Sequence, residues 1–231
     1  MFFGNFRDLI KLNLLFCCCA VPSAAAAIAG FFGFLTGFMY LLTLILAFPI
    51  GGALTANAFC ITKMLRDEPG YVWYDFKRKF LENYKQAAAP GILSAAYIYA
   101  QIFLWAPQIT GEAVPEFFLM VMGFIFLLLF GMVVPYVFLQ IAYIDLKILQ
   151  ILKNSVLISF MNAPRSLMGA ITGGAVWAAF VFFLPQSLLT VPLIILIGFS
   201  FSWLLNLIWI WPPVNKQFKI DETLRDRREN Q

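Results

Sequence analysis

The sequence predicts an all-α protein that crosses a membrane several times. Hydrophobic residues make up 62% of the 231-residue chain and charged residues 12%, against about 25% charged residues in an average soluble domain. Four stretches carry no charge and are long enough to cross a bilayer, which takes about 20 helical residues. These stretches are residues 12–62, 86–111, 117–144 and 166–215.

The lengths of the charge-free stretches predict six transmembrane helices in a single membrane domain over residues 1–215. Residues 12–62 suit two crossings, and Gly30–Gly33 is the expected turn between them. Residues 166–215 also suit two crossings, divided near Pro185, and each of the other two stretches suits one. The expected spans are about 9–29, 35–62, 87–108, 117–146, 167–184 and 190–211.

Lys and Arg residues predict the orientation, because loops that are rich in them stay in the cytoplasm. With six spans, the N-terminus, residues 63–86, residues 145–165 and a charged tail at 216–231 all lie on one side. These segments hold all 16 Lys and Arg residues of the chain. The sequence therefore predicts an N-in, C-in protein.

Few side chains could carry catalysis or hold a metal. The chain has no His, the usual general base at neutral pH and the commonest metal ligand. Cys17, Cys18 and Cys19 are adjacent in one apolar stretch, and with Cys60 they predict buried thiols rather than a disulfide framework. We expect no enzyme activity and no metal or other cofactor. We also expect no nucleic-acid partner, because the basic residues are spread along loops.

Four amide side chains fall inside the expected spans. Amides at such depth can hydrogen-bond between helices, or they can line a site for a neutral solute. The sequence leaves both interpretations open for this possible polar core. Its members are Asn57, Gln101, Gln140 and Asn206.

Glycine and proline patterns add two predictions about packing. Gly33 with Gly37 and Gly169 with Gly173 have the spacing that allows helices to approach closely. Proline recurs in most of the spans, which fits kinked packing helices and also fits the broken helices of a transporter.

Residues 63–86 hold mixed charge and predict a cytoplasmic loop with an amphipathic helix after the second span. Asp67–Gly70 has the residues of a turn, and aromatic residues then recur every three or four positions. We expect Asp75 and Lys79 to form an i,i+4 ion pair. The aromatic face is expected either to lie on the membrane surface or to dock on a partner. The residues expected at this lipid or partner contact are Trp73, Phe76, Phe80, Tyr84, Arg66, Lys77 and Arg78.

Three segments resemble the YesL family, bacterial six-helix membrane proteins long described as a domain of unknown function. They are Phe6-Arg-Asp-Leu-Ile-Lys-Leu-Asn-Leu-Leu-Phe16, Phe48-Pro-Ile-Gly-Gly-Ala-Leu-Thr-Ala56, and Leu65-Arg-Asp-Glu-Pro-Gly-Tyr71 with the following Asp75-Phe-Lys-Arg-Lys-Phe-Leu-Glu-Asn-Tyr-Lys-Gln86. The resemblance covers roughly residues 5–90, while the later spans agree in hydrophobic pattern only.

Members of this family are typically encoded beside carbohydrate ABC importers. The resemblance therefore implies an accessory subunit or assembly factor of a bacterial carbohydrate (oligosaccharide) ABC import system. The implied location is the bacterial cell membrane, and the implied partners are membrane lipids and the importer's permease subunits. The alternative from the residues alone is a stand-alone transporter or channel for a neutral solute.

Overall fold

Helices account for nearly all of the chain that the computed structural model describes, which is residues 2–33, 36–109, 117–183 and 190–229. No strand occurs in these ranges, so the all-α prediction is confirmed for them. The helices are α1 (Phe2–Phe31), α2 (Thr36–Leu46), α3 (Phe48–Leu65), α4 (Val72–Ile109), α5 (Phe117–Tyr143), α6 (Ile148–Met161), α7 (Ala163–Phe183), α8 (Thr190–Leu193), α9 (Phe199–Phe218) and α10 (Ile220–Glu229). A π-helical turn at Ile194–Gly198 joins α8 to α9.

Four helical stretches are long and apolar enough to cross a membrane, which is the make-up of a multi-pass membrane protein. They are Phe6–Gly30, Phe38–Leu65, Phe117–Tyr143 and Ile194–Phe218. Within the described ranges, α4 and α7 lie where the other two spans were predicted, but they are not among the four. The predicted number of six spans is thus not confirmed.

The predicted turns lie where the helices end. α1 ends at Phe31, and Gly33 has a φ of +82°, which glycine adopts without strain. α3 ends at Leu65, and the chain turns through Asp67, whose φ is +54°. The predicted break near Pro185 lies outside the described residues.

α3 is the central helix of the bundle. All residues from Ile50 to Thr62 are buried, and α1, α4, α5 and α9 all pack against the helix. Small residues such as Gly51, Ala53 and Ala56 let these neighbours approach from every side. A helix that is apolar all round is buried in this way.

α3 and α4 approach each other closely at Gly51 and Gly91. A Cβ on Gly51 would fall onto the backbone carbonyl of Ala87, and a Cβ on Gly91 would fall onto the backbone of Gly51. The two helix backbones therefore touch where neither residue has a side chain. Local sequence patterns do not predict this contact, because the two glycines are far apart along the chain.

One of the two predicted glycine pairs also brings helices together. A Cβ on Gly169 would lie 3.1 Å from the carbonyl oxygen of Asn206, and a Cβ on Gly173 would lie 3.0 Å from that of Ser202. The prediction for this pair is confirmed, since α7 packs closely on α9 there. The prediction for Gly33 is wrong, because a Cβ there would have nothing within 4 Å and the residue forms the turn after α1.

We expect Gly51→Ala to lower the stability of the protein by about 1–3 kcal/mol, because the added methyl group forces α3 and α4 apart. The measurement is thermal unfolding of the purified protein in detergent, followed by tryptophan fluorescence. Gly174→Ala is the matched control, since a Cβ at Gly174 has nothing within 4 Å. Equal unfolding temperatures for the two variants would contradict the close contact.

Candidate functional site

The charged segment and the third predicted span form one continuous helix. α4 runs for 38 residues from Val72 to Ile109, so the predicted cytoplasmic helix is the first part of α4 rather than a separate element. Its axis is about 57 Å long at 1.5 Å per residue. Since the hydrocarbon core of a bilayer is about 30 Å thick, α4 is much longer than one membrane crossing requires.

The predicted aromatic face of α4 is divided between the core and the surface. Phe76 is only 5% exposed, so it belongs to the core and does not face lipid or a partner. Phe80 stacks on Phe76 with ring centroids 6.3 Å apart, and Tyr84 meets Phe48 of α3 edge-on at 6.0 Å. These side chains face α3 because Gly52 leaves room for the Phe80 ring.

A different set of side chains at the start of α4 is exposed. Tyr71 is 85% exposed, Trp73 65% and Tyr74 63%, and Lys77 is exposed one turn after Trp73. We call Tyr71, Trp73, Tyr74 and Lys77 the exposed face. Of the residues predicted to contact lipid or a partner, Trp73 and Lys77 lie on it. That they make such a contact stays a prediction.

A buried ion-pair network fixes the start of α4 to the end of α3. Asp75 is 5% exposed, and its carboxylate accepts hydrogen bonds from Lys63 of α3 at 2.6 Å and from Arg78 at 3.3 Å. The predicted pair of Asp75 with Lys79 is wrong, because Asp75 faces α3. Lys79 pairs with Glu82 at 2.8 Å instead.

Arg66 forms a second cluster at the same end of the bundle. Its guanidinium carbon lies 5.4 Å from the ring centroid of Tyr143 and 5.0 Å from that of Trp211. It also donates to the Tyr143 hydroxyl at 3.1 Å and forms ion pairs with Glu68 at 3.3 Å and Asp221 at 3.4 Å. Arg66 therefore joins α3, α5, α9 and α10 internally, instead of standing on the predicted contact surface.

A pocket of about 300 Å³ lies between the two clusters. The start of α1, the end of α3, the following turn and the start of α4 enclose it. Charged side chains dominate its lining, with the buried Lys63–Asp75 pair among them. The lining residues are Asp8, Cys60, Lys63, Met64, Asp67, Glu68, Pro69, Gly70, Val72 and Asp75.

Three of the four predicted polar-core amides are buried, and each donates one hydrogen bond. Asn57 donates to the Ser200 hydroxyl at 3.2 Å, Gln140 to the Ser155 hydroxyl at 2.8 Å, and Asn206 to the Gly131 carbonyl at 3.3 Å. The side-chain oxygens of all three have no hydrogen-bond partner within the described residues. Gln101 is half-buried and donates to the Tyr97 hydroxyl at 2.8 Å. The three buried amides thus join helices, as one of the two interpretations predicted, whereas the Gln101–Tyr97 bond lies within α4.

Asn13 is a buried amide that the sequence patterns did not single out. Its side-chain nitrogen donates to the carbonyl oxygens of Ile194 at 3.0 Å and Ile195 at 2.6 Å, and its oxygen accepts from the Ser200 backbone at 2.8 Å. Asn13 of α1 thus bonds backbone groups of the π-helical turn and of the start of α9. Its position just inside a charge-free stretch was the signal that could have identified it.

The described residues contain no group of three or more His, Cys, Asp or Glu side chains that could hold a metal ion. No family model, no curated protein and no solved structure matches the chain. The resemblance to the YesL family therefore stays a prediction from the three segments that carry it.

We expect Asn13→Leu to cost at least about 1–3 kcal/mol of stability, because the buried Ser200 N–H loses its side-chain partner, and two part-buried carbonyl oxygens lose theirs as well. The same substitution at Asn57 is the matched control. Asn57 is equally buried but makes a single side-chain hydrogen bond. Thermal unfolding in detergent compares the two variants. A larger loss for Asn57→Leu would contradict the role assigned to Asn13.

Proposed function

We propose that the chain is an accessory membrane subunit of a bacterial carbohydrate ABC importer, and that it binds the permease subunits through the exposed face. Two observations support the proposal. The first is the resemblance of three segments to the YesL family. The second is the length of α4, whose charged first part extends well beyond its apolar part. This length favours a protein partner over lipid.

The length of α4 supports a position of the exposed face away from the bilayer. Lys85 is the last charge before the apolar part of α4, so we take Ala87 as the start of the span. Trp73 lies fourteen residues earlier on the same helix, which is about 21 Å along the axis. The headgroup region adds only about 5–8 Å on each side of the hydrocarbon core. A helix tilted by about 40° would still leave Trp73 roughly 16 Å from the hydrocarbon. Because Gly51 of α3 touches Ala87, this boundary also leaves the end of α3 outside the hydrocarbon, and the second span of the proposal ends near Gly51.

Large aromatic side chains at that height face water unless a protein covers them. Trp and Tyr are the residues that most often anchor protein interfaces. Lys77 adds a positive charge to the same surface. The exposed face therefore suits a cytoplasmic surface of a partner protein better than lipid headgroups.

The proposal includes a topology of six spans with both chain termini in the bacterial cytoplasm. The charge-free second half of α4 and the position of α7 support the two spans that are not among the four long apolar helices. The confinement of all 16 Lys and Arg residues to one side supports the orientation.

One observation favours a second function, a stand-alone transporter for a neutral solute. Asn57, Gln140 and Asn206 each hold a buried carbonyl oxygen that has no partner in the described residues, and such atoms could bind a hydroxylated solute. Under this function, proteoliposomes that contain only the purified protein would take up labelled oligosaccharide. Under the accessory function, the purified protein alone moves none.

We expect the double variant Trp73→Ala/Tyr74→Ala to lose the permease subunits when the tagged protein is purified from its native host in mild detergent. The change removes two exposed aromatic anchors, each worth about 1 kcal/mol or more at an interface. The measurement is the amount of importer permease recovered with the tagged chain, quantified by mass spectrometry.

The matched control is Phe124→Ala/Phe126→Ala, which removes two exposed aromatic rings from α5. This control should retain the permease. Failure to recover sugar-importer subunits with the wild-type chain would overturn the proposed function. Equal recovery with both double variants would overturn the assignment of the exposed face.

A further inference from the structure

α6 is a short apolar helix with one side packed on the bundle and the other side exposed. Its 14 residues, Ile148–Met161, measure about 21 Å, too short to cross a hydrocarbon core of about 30 Å. The buried side consists of Ile151, Ser155, Ile158 and Ser159. The exposed apolar side, with residues 45% to 77% exposed, consists of Leu149, Val156, Leu157, Phe160 and Met161. An apolar helix of this length that is not buried all round is typical of a segment in the membrane interface.

With the membrane boundary of the proposed topology, α6 begins at the cytoplasmic edge of the hydrocarbon. The Gln86 side chain donates a hydrogen bond to the Leu146 carbonyl oxygen at 2.6 Å. Gln86 directly precedes Ala87, where the span of α4 is taken to start, and Leu146 lies two residues before Ile148, the first residue of α6. This hydrogen bond therefore places the start of α6 level with the boundary.

The far end of α6 lies well inside the same boundary. Tyr97 is ten residues past Ala87 on α4, which is about 15 Å inside, and its ring stacks on that of Phe130 in α5 with centroids 4.3 Å apart. Met132 is two residues nearer the cytoplasmic end of α5, about 12 Å inside. The Ser159 hydroxyl of α6 donates to the Met132 carbonyl oxygen at 3.2 Å. α6 thus enters the bilayer obliquely, and its exposed apolar side faces acyl chains.

Two basic side chains beside this apolar side carry charge that the chain leaves unpaired. Lys153 and Arg165 are exposed, and neither forms an ion pair with a described residue. No Asp or Glu occurs in the sequence between Asp145 and Asp221. This part of the chain therefore presents positive charge next to an apolar surface.

Both basic residues lie within reach of the lipid headgroups. Lys153 is in the middle of α6, between its start at the boundary and its far end. Arg165 directly precedes Ser166, whose hydroxyl lies 2.9 Å from that of Tyr136, and Tyr136 is about 6 Å inside the boundary on the same scale. Long Lys and Arg side chains extend from such a depth to the membrane interface, because a charge left in hydrocarbon is costly.

We propose that α6 lies in the cytoplasmic leaflet, where Lys153 and Arg165 bind the headgroups of anionic phospholipids and the exposed apolar side contacts acyl chains. The inference uses the six-span topology of the proposed function but not its protein partner. Charge complementarity selects anionic lipid, because an anionic leaflet attracts Lys and Arg next to the membrane. α6, rather than the start of α4, is then the helix that holds the chain to the membrane surface.

Photo-crosslinking in proteoliposomes of the purified full-length protein tests whether α6 lies in lipid. p-Benzoylphenylalanine in place of Phe160 should form adducts with phospholipid, as it should in place of Phe124, an exposed residue of α5. Absence of lipid adducts at Phe160, while Phe124 forms them, would overturn the inference. In the native host, adducts at Phe160 confined to another protein would overturn lipid as the occupant.

The same reagent in place of Tyr74 separates this inference from the proposed function. Tyr74 belongs to the exposed face and should form no lipid adducts, because the length of α4 supports a position away from the bilayer. Lipid adducts at Tyr74 would count against the proposed function while leaving the lipid contact of α6 standing.

Native mass spectrometry tests the preference for anionic lipid. The purified protein is released from nanodiscs that hold equal amounts of phosphatidylglycerol and phosphatidylcholine with the same acyl chains, and the retained lipids are counted. We expect the wild-type chain to retain more phosphatidylglycerol than phosphatidylcholine. Lys153→Gln and Arg165→Gln should each lower this ratio by about fivefold, the contribution of one basic residue beside an anionic surface.

Lys216→Gln is the matched control. Lys216 is also exposed and lies in the last turn of α9. The neighbouring Asn215 accepts a hydrogen bond from the Asp221 backbone at 3.0 Å, and Asp221 pairs with Arg66, fifteen residues past Gly51 or about 22 Å outside the boundary. This variant should keep the wild-type ratio. Equal retention of the two lipids by the wild-type chain, or equal ratios for Lys153→Gln and Lys216→Gln, would overturn the assignment of the basic residues.

Discussion

The buried ion pair between Lys63 and Asp75 is the constraint on which the charged end of the bundle depends. A charge that is removed from water is costly unless its partner is close and its remaining hydrogen bonds are made. Asp75 meets this condition with Lys63 on one side and Arg78 on the other. Because Lys63 is near the end of α3 and Asp75 near the start of α4, the pair fixes how the two helices are aligned.

The same alignment decides which side of α4 faces outwards. The Lys63–Asp75 pair lies at one end of the α3–α4 contact, and the Gly51–Gly91 contact lies twelve residues away along α3, about 18 Å at helical rise. Because these two contacts fix the helix pair at two points, α4 cannot rotate about its own axis relative to α3. Phe76 and Phe80 must then face α3, and Trp73 and Tyr74 must face outwards.

The sequence predicted those features that depend on one local segment. Charge-free stretches predicted the long helices, Gly33 and Asp67–Gly70 predicted the turns, and amides in apolar runs predicted buried hydrogen bonds. The periodicity of α4 also predicted an aromatic stripe, but it could not show which neighbour the stripe meets. That choice depends on Gly52, which precedes α4 by twenty residues in the sequence.

Features that depend on two distant segments were not predictable from local patterns. The i,i+4 spacing on a helix predicted Lys79 as the ion-pair partner of Asp75. Asp75 instead faces α3, where the dielectric is lower than in water and the attraction to Lys63 is stronger. The π-helical turn at Ile194–Gly198 contains no proline. The Asn13 side chain, 181 residues earlier, bonds the Ile194 carbonyl of this turn.

The stiffness of α4 bears on how the exposed face could bind a partner. Binding costs free energy for every side chain and segment that must be ordered. Here the aromatic side chains stand on a helix that the Lys63–Asp75 pair holds at its start, and the Arg78 guanidinium lies 5.7 Å from the Tyr74 ring. The backbone that carries Trp73 and Tyr74 is therefore ordered before any partner arrives. A surface prepared in this way needs fewer contacts for a given affinity, which fits the proposed accessory role.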